Sequence, residues 1–381
     1  MRGSIVKRGK TYSIVYDINQ GGKRKQKWES GFKTKKEAEA ILAQRINEIE
    51  KGTYINPKKD TLEDYLIRWF DTHKADLSPS TARRYEGIIK QHLIPSLGNI
   101  PLAKLQPLQI QEFLSKELEG GRQDNKKTVG AGLSAASVNY EYRVLHKALN
   151  QAVDWQLISR NPADLVKVPK PEKKDMVVLS EQDIARLLNE IKDNYLYIPT
   201  FLAIYTGMRL GEVLGSTWKD IDLNRGILSV RQASCQVKAD DPEFKAPKTA
   251  KSKRNIDISQ TVVKTLREHK KTQTKWKLVA GSNWQDNNLV CALQDGRPIN
   301  PPSLSSYFRR VASRIGLFVS FHALRHTHAS LLLKAGIQPK IVQERLGHST
   351  IAVTMDIYSH VMPGMQRQAA NKLDDMLKIG R

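Results

Sequence analysis

The stretch Val166 to Met176, VKVPKPEKKDM, constrains this chain more than any other. Pro169 and Pro171 each lack a backbone N–H and push the preceding residue out of the helical region, so neither helix nor sheet runs through it. The lysines between and after them hold it in water. A chain interrupted there must build its cores on either side. At 381 residues it is also too long for a single compact core, and its 40% hydrophobic content can supply two or three.

Charge narrows the partner. Sixty-two Lys and Arg against 39 Asp and Glu leave +23, which favours a polyanion, with nucleic acid ahead of a membrane surface. The longest apolar run, Tyr195 to Met208, is shorter than a membrane span and contains Pro199, so it reads as buried core. MRGSIVKRGK has no apolar signal region, and the two cysteines, Cys235 and Cys291, have neither metal nor disulfide spacing. The expectation is a reduced, cytoplasmic protein.

From Thr11, the segment TYSIVYDINQGGKRKQKWESGF sets Tyr12, Ile14, Tyr16 and Ile18 against Ser13, Val15 and Asp17, then breaks at Asn19-Gln20-Gly21-Gly22. That is a hairpin pattern. Its second arm carries Lys23, Arg24, Lys25 and Lys27 beside Trp28, which reads as one sheet face of cations interleaved with an aromatic; the plainer reading is a solvated basic sheet. TKKEAEAILAQRINEIEKG follows, with Thr34 and Glu37 at capping-box spacing and Ala38, Ile41, Leu42, Ile46 and Ile49 at helical spacing. Residues 1–55 are therefore expected to form a small sheet backed by one helix.

Residues 60–168 read as a helical bundle. TLEDYLIRWF places Leu62, Leu66, Trp69 and Phe70 on one face, SPSTARRYEGIIKQHLIP starts at a Ser-Pro signal and is expected to end at Pro95, and a helix is expected around Gln109 to Leu118. EGGRQDNKKTVGAG has no periodic face and reads as a loop before a long amphipathic helix. Beyond the linker, residues 175–381 open with a capping box at Ser180 and Asp183. Helices dominate there, interrupted by strands from Ile227 to Ile258.

Four spots in this last segment are odd on structural grounds. YTGMRLGEVLG puts Arg209 beside an apolar helix face, where a surface pair with Glu212 is the plain account. APKTAKSKRNIDIS places Lys248 and further cations on a hairpin tip. HALRHTHAS sets His322 and Arg325 at i and i+3. Its three histidines admit a zinc site, against which Arg325 sets a permanent cation. QPKIVQERLGHSTIAVTMDIY, with His348 and Tyr358, also has the outline of a DNA-reading helix-turn-helix, which would make the protein a regulator without catalysis.

Taken in order, Arg209 with Glu212 in TGMRLGE, Lys248 in PKT, His322 and Arg325 in HALRH, His348 in LGH and Tyr358 in DIYSHV resemble the tyrosine recombinases, on the phage and mobile-element integrase branch. The resemblance spans residues 175 to 360, and each motif alone is weak where the ordered set is specific. Ala323 departs from it, since many relatives carry an acidic residue there.

The resemblance implies a multidomain, mainly α fold with small β parts. An arm-type DNA-binding domain (1–55) is followed by a helical core-site-binding domain (60–168) and a mixed α+β catalytic domain ending in a C-terminal helix (175–381). It implies a site-specific recombinase that integrates and excises a mobile element through a 3′-phosphotyrosine intermediate. Arg209 and Arg325 would clamp the phosphate, because a guanidinium presents planar donors to two oxygens at once. His322 and His348 would add hydrogen bonds or handle a proton, and Lys248 would be the general acid. Tyr358 would be the nucleophile, its phenol of pKa ~10 made reactive by the cationic pocket. Glu212 would support Arg209, and Lys251, Lys253 and Arg254 would contact the DNA backbone. No metal and no cofactor is implied. The implied partners are double-stranded DNA at core and arm sites, three further copies in a tetramer, an excisionase and a host DNA-bending protein at the bacterial nucleoid. The stripe Met365, Ala369, Leu373 and Leu377 would dock on a neighbouring protomer or fold back on its own core. A metal-dependent nuclease and a relaxing topoisomerase are the remaining rivals.

Overall fold

The computed structural model describes residues 3–20, 23–50, 60–122, 131–172, 176–238, 241–245, 253–361, 371, 373–374 and 376–377. The chain divides into two compact units, Met1–Lys173 and Lys174–Arg381. No helix among the described residues is long and apolar enough to cross a membrane.

The first unit opens with an antiparallel sheet of three strands, β1 (Gly3–Arg8), β2 (Thr11–Gln20) and β3 (Lys23–Phe32), in that order. Strand β1 was not anticipated: its short apolar pair Ile5 and Val6 is hidden between charges. The helix α1 (Lys35–Glu50) packs Ala38 and Leu42 on Ile14, Tyr16 and Ile18. Thr34 and Glu37 start it as expected, the Glu37 N–H donating to Thr34 Oγ1 at 3.1 Å and Glu37 Oε2 accepting from the Lys33 N–H at 2.9 Å.

Register corrects the reading of β3. Ile18 pairs with Lys25 and Tyr16 with Lys27, so both lysines lie on the face that α1 covers; Lys23, whose side chain is outside the described residues, pairs with Gln20. Successive side chains point to opposite faces, so Arg24 and Trp28 take the other side. The four cations do not share a face. On the open side Arg24 pairs with Asp17, and the Arg8 guanidinium stacks 4.7 Å from the Trp28 ring centroid.

A separate core in the same unit belongs to α2 (Leu62–His73), α3 (Pro79–Ile88), α4 (Ile94–Leu97), α5 (Pro107–Gly120) and α6 (Ala135–Asp154). Leu62, Tyr65, Leu66 and Trp69 line the buried face of α2, each worth roughly 1.5–3 kcal/mol of burial. The helix expected to end at Pro95 instead passes through it. Pro95 has no N–H and its ring crowds the carbonyl four residues back, and residues 89–93 widen into a π turn in which the Ile94 N–H reaches the Ile89 carbonyl. The expected loop falls largely on residues 123–130, outside the described residues.

The second unit carries α7 (Glu181–Glu190), α8 (Tyr197–Thr206), α9 (Leu210–Leu214), β4 (Ile221–Asp222), β5 (Ile227–Val230), β6 (Ala233–Lys238), β7 (Asp241–Lys245) and β8 (Arg254–Asp257). The helices α10 (Gln260–Ala280), α11 (Pro301–Arg314), α12 (Phe321–Lys334), α13 (Pro339–Leu346) and α14 (Ile351–Val361) complete it. Ser180 and Asp183 close their capping box. The antiparallel sheet has the order β4-β5-β8, with β6-β7 as a separate ribbon. The segment expected as a hairpin tip, with Lys248, lies outside the described residues; β7 before it and β8 after it belong to different sheets. Helix α12 runs through the middle, with Phe321, Leu324, Arg325, His328 and Leu333 all buried. Of the C-terminal stripe, Met365 and Ala369 lie outside the described residues, and Leu373 and Leu377 are exposed.

Candidate active site

Two chain breaks converge on α12. The first ends α8, where Gly207 takes φ +67° and a Cβ would come within 2.4 Å of the Leu346 side chain and 2.6 Å of the His328 ring. Only glycine fits there. Two residues on, Arg209 starts α9. Its N–H donates to Glu212 Oε2 at 2.9 Å and its Nη1 to Glu212 Oε1 at 2.8 Å, so its own helix fixes the guanidinium while 42% of the side chain faces solvent.

The second break is Leu-Gly-His. Gly347 at φ +68° ends α13 in a Schellman motif: the His348 N–H reaches the Gln343 carbonyl at 3.1 Å and the Gly347 N–H the Glu344 carbonyl at 3.1 Å. His348 Nδ1 then lies 2.9 Å from the Thr354 hydroxyl on α14. Position 358 falls one turn beyond Thr354 on that helix; the Tyr358 side chain is outside the described residues. The helix-turn-helix outline is thus present, and its Leu346 and Val342 pack on Ala329 and Leu333 of α12.

Arg325 joins the two breaks. Buried to 3% exposure, it donates from Nη1 to the Gly207 carbonyl at 2.7 Å and from Nη2 to the Leu346 carbonyl at 2.8 Å. Burial and then the charge of Arg209 lower its pKa to about 9.

Between β7 and β8, Lys248 and Lys251 are outside the described residues, and Lys253 is exposed. Arg254, expected on the DNA backbone, is instead folded inward with 7% of its side chain exposed. Its Nη2 meets Glu212 Oε2 at 2.9 Å and its Nε the Arg345 carbonyl at 2.7 Å. The carboxylate makes the difference: burial alone would raise the Glu212 pKa, and Arg254 with Arg209 outweighs it and holds it below the usual range.

His322 lies a turn before Arg325, its ring 4.7 Å from that of His326. Burial lowers the His322 pKa to about 4, reinforced by His326, Arg325 and Arg209; burial with Arg325 and Arg209 does the same to His348, to about 4. Both imidazoles are therefore neutral at pH 7. His328 answers the zinc question: its Nδ1 faces the Ile204 carbonyl at 2.8 Å and its Nε2 accepts from Arg345 Nε at 3.2 Å. With both nitrogens engaged it cannot share an ion with His322 and His326.

Arg345, which the sequence reading passed over, also donates to the carbonyls of Asp257 at 2.9 Å and Tyr205 at 3.1 Å, tying β8 and the end of α8 to α12. Its only signal was its place three residues before His348.

The arrangement is an anion site: Arg209 and Arg254 share the Glu212 carboxylate, Arg325 adds a third guanidinium held by main-chain carbonyls, and two neutral histidines lie alongside. Residues 177–364 match the family described as "Phage integrase family", residues 61–118 "Phage integrase, N-terminal SAM-like domain", and residues 4–49 "Arm DNA-binding domain". A protein of Caldanaerobacter subterraneus named "Tyrosine recombinase XerC-like" is 31% identical, over 98% of this chain and 98% of its own length. The "ICEBs1 integrase" of Bacillus subtilis is 27% identical over 90% of this chain and 91% of its own. Among solved structures, the Tn1549 transposon integrase in complex with a circular intermediate DNA superposes with a TM-score of 0.70 at 21% identity, covering 82% of this chain and 99% of that one. A lambda integrase tetramer bound to a Holliday junction gives 0.57 at 21%, covering 90% and 91%.

Proposed function

Because the chain belongs to the phage integrase family, and is thus a tyrosine-type site-specific recombinase of mobile elements, we propose that Arg209, Lys248, His322, Arg325, His348 and Tyr358 carry out its reaction. The observation that carries this assignment is the excess of guanidinium over carboxylate at the site: a phosphodiester supplies the missing negative charge.

Arg209 and Arg325 hold the non-bridging oxygens of the scissile phosphate, with His322 and His348 donating to the same group. The Tyr358 oxygen attacks phosphorus, its proton passing to a neutral imidazole of the cluster, and forms a 3′-phosphotyrosine bond as the 5′ oxygen leaves, taking its proton from Lys248. A 5′ hydroxyl of the partner strand then attacks and releases the tyrosine. The phosphodiester energy is conserved in the protein-DNA bond, so the exchange needs positioning and charge and no consumed nucleotide. Glu212 holds Arg209 in place.

The same reading assigns residues 1–55 to arm sites, 60–168 to core sites and 175–381 to catalysis. It places the enzyme as a homo-tetramer on two duplexes at the bacterial nucleoid, with an excisionase and a host DNA-bending protein setting direction. The matches to an arm DNA-binding domain and to a tetrameric lambda integrase support it.

The test is a nicked duplex spanning the element's junction, scored as an SDS-resistant protein-DNA band in EDTA. Wild type gives the band and Tyr358→Phe gives none while still binding the DNA. A band from Tyr358→Phe overturns the nucleophile. Arg325→Lys keeps the charge and loses the fork, and slows band formation on the order of 10²–10³-fold.

A further inference from the structure

In the helical part of the first unit, three ionisable side chains from separate elements meet away from solvent. His92 comes from the π turn before Pro95, Glu117 from α5 and Glu141 from α6. Their side chains are 13%, 7% and 4% exposed, and His92 Nδ1 lies 2.8 Å from Glu117 Oε2 and 3.5 Å from Glu141 Oε1. One nitrogen of the His92 ring and one oxygen of each carboxylate fall within 4.8 Å of one another.

Hydrogen bonding does not complete this cluster. A single N–H at Nδ1 is spent on Glu117, and Glu141 Oε2 is buried with no hydrogen-bond partner among the described residues. An unmatched buried carboxylate oxygen costs roughly 1–3 kcal/mol or more. Two carboxylates with a neutral imidazole match the charge of a dipositive ion.

We propose that His92, Glu117 and Glu141 form a site for a divalent transition cation of the zinc type. Imidazole with carboxylate oxygens suits that class, whereas magnesium and calcium prefer oxygen alone. Ligands about 2.1 Å from such an ion stand roughly 3.4 Å apart in a tetrahedron, so the 2.8 Å pair opens slightly and the third donor closes in, with a fourth position for water. Gly121 belongs to the design: its φ of −69° suits any residue, and a Cβ there would stand 2.1 Å from Glu117 Oε2. The π turn is the kind of helical irregularity that collects at functional positions. The ion staples three helices of the bundle and lies outside the catalytic unit, so the inference is independent of the reaction assignment.

Zn²⁺ alone, titrated calorimetrically into the full chain after chelator dialysis, tests it. Wild type takes up one equivalent that Glu141→Gln lacks, and its melting temperature rises by several degrees on binding. An ion held elsewhere, at His322 and His326 for instance, is retained by the variant and does not alter the difference. Far-UV circular dichroism checks the fold, and His92→Gln repeats the test if Glu141→Gln unfolds. Either variant weakens this site by more than the roughly 10–100-fold typical of losing an outer hydrogen bond. Equal uptake by wild type and folded variant, or no uptake by wild type, overturns the site.

Discussion

Arg24 on β3 has 78% of its side chain exposed and meets Asp17 across the strand pair, whereas Arg254 has 7% exposed and shares the Glu212 carboxylate with Arg209. Water and salt screen the first pair, so it contributes little to stability. Its charge acts through a field that any stretch of polyanion can answer. The second group has given up its water and is held by fixed acceptors, so its charge has a direction. The comparison separates cations whose charge is screened and undirected from cations fixed in one direction.

The largest effect should come from removing the shared carboxylate. Glu212→Gln leaves Arg209 and Arg254 facing each other without a counter-charge, and should cost about 3–5 kcal/mol in urea unfolding of the full chain. A loss under about 1 kcal/mol would place the buried group with the screened one.

Next is acid. His328 is buried, and burial with Arg345 lowers its pKa to about 4, while an unfolded imidazole protonates near 6.5. Between those values the unfolded chain binds more protons, so stability is fully present above pH ~6.5 and falls as pH drops toward 4, by up to about 3 kcal/mol from this residue. Glu141 runs the other way, since burial and Glu117 raise it to about 8. The informative quantity is therefore the difference between wild type and His328→Gln, which should lose this pH dependence; parallel curves would show that the histidine does not titrate as described.

The smallest effect belongs to the sheet. Arg24→Ala should lower the slope of log affinity against log salt on arm-site DNA by roughly one and leave core-site cleavage unchanged. A drop in cleavage would erase the distinction between the two kinds of cation.

The same comparison explains what the sequence disclosed. Helical periodicity exposed α1, α2 and α6, and the caps at Thr34 and Ser180 marked the starts of α1 and α7, because these are local patterns. The spacing of His322 and Arg325 was equally local. Arg254 was misread because it ends a basic run, KTAKSKR, and its true partner is 42 residues away. The face of β3 was misjudged because period-2 alternation, applied to the apolar strand, was not carried to the charged one. The roles of Lys248 and Tyr358 rest on the ordered resemblance alone, since nothing in their neighbours distinguishes a surface lysine or a helix-end aromatic. His92, Glu117 and Glu141 had no sequence signal: three helices had to pack before they met.

Arg325 grips the chain by two main-chain carbonyls, those of Gly207 and Leu346, which every amino acid possesses. A breeder of new integrases can therefore vary the side chain at 346 within what packing allows, but cannot transplant the α13–α14 segment alone. The graft must arrive with an α12 that reaches it, because a carbonyl displaced by an ångström unseats the arginine and loosens the Gly207 turn on the far side. Helices α8, α12 and α13 make up one exchangeable cassette, and recombinants joined within it should fail where those joined at its edges succeed.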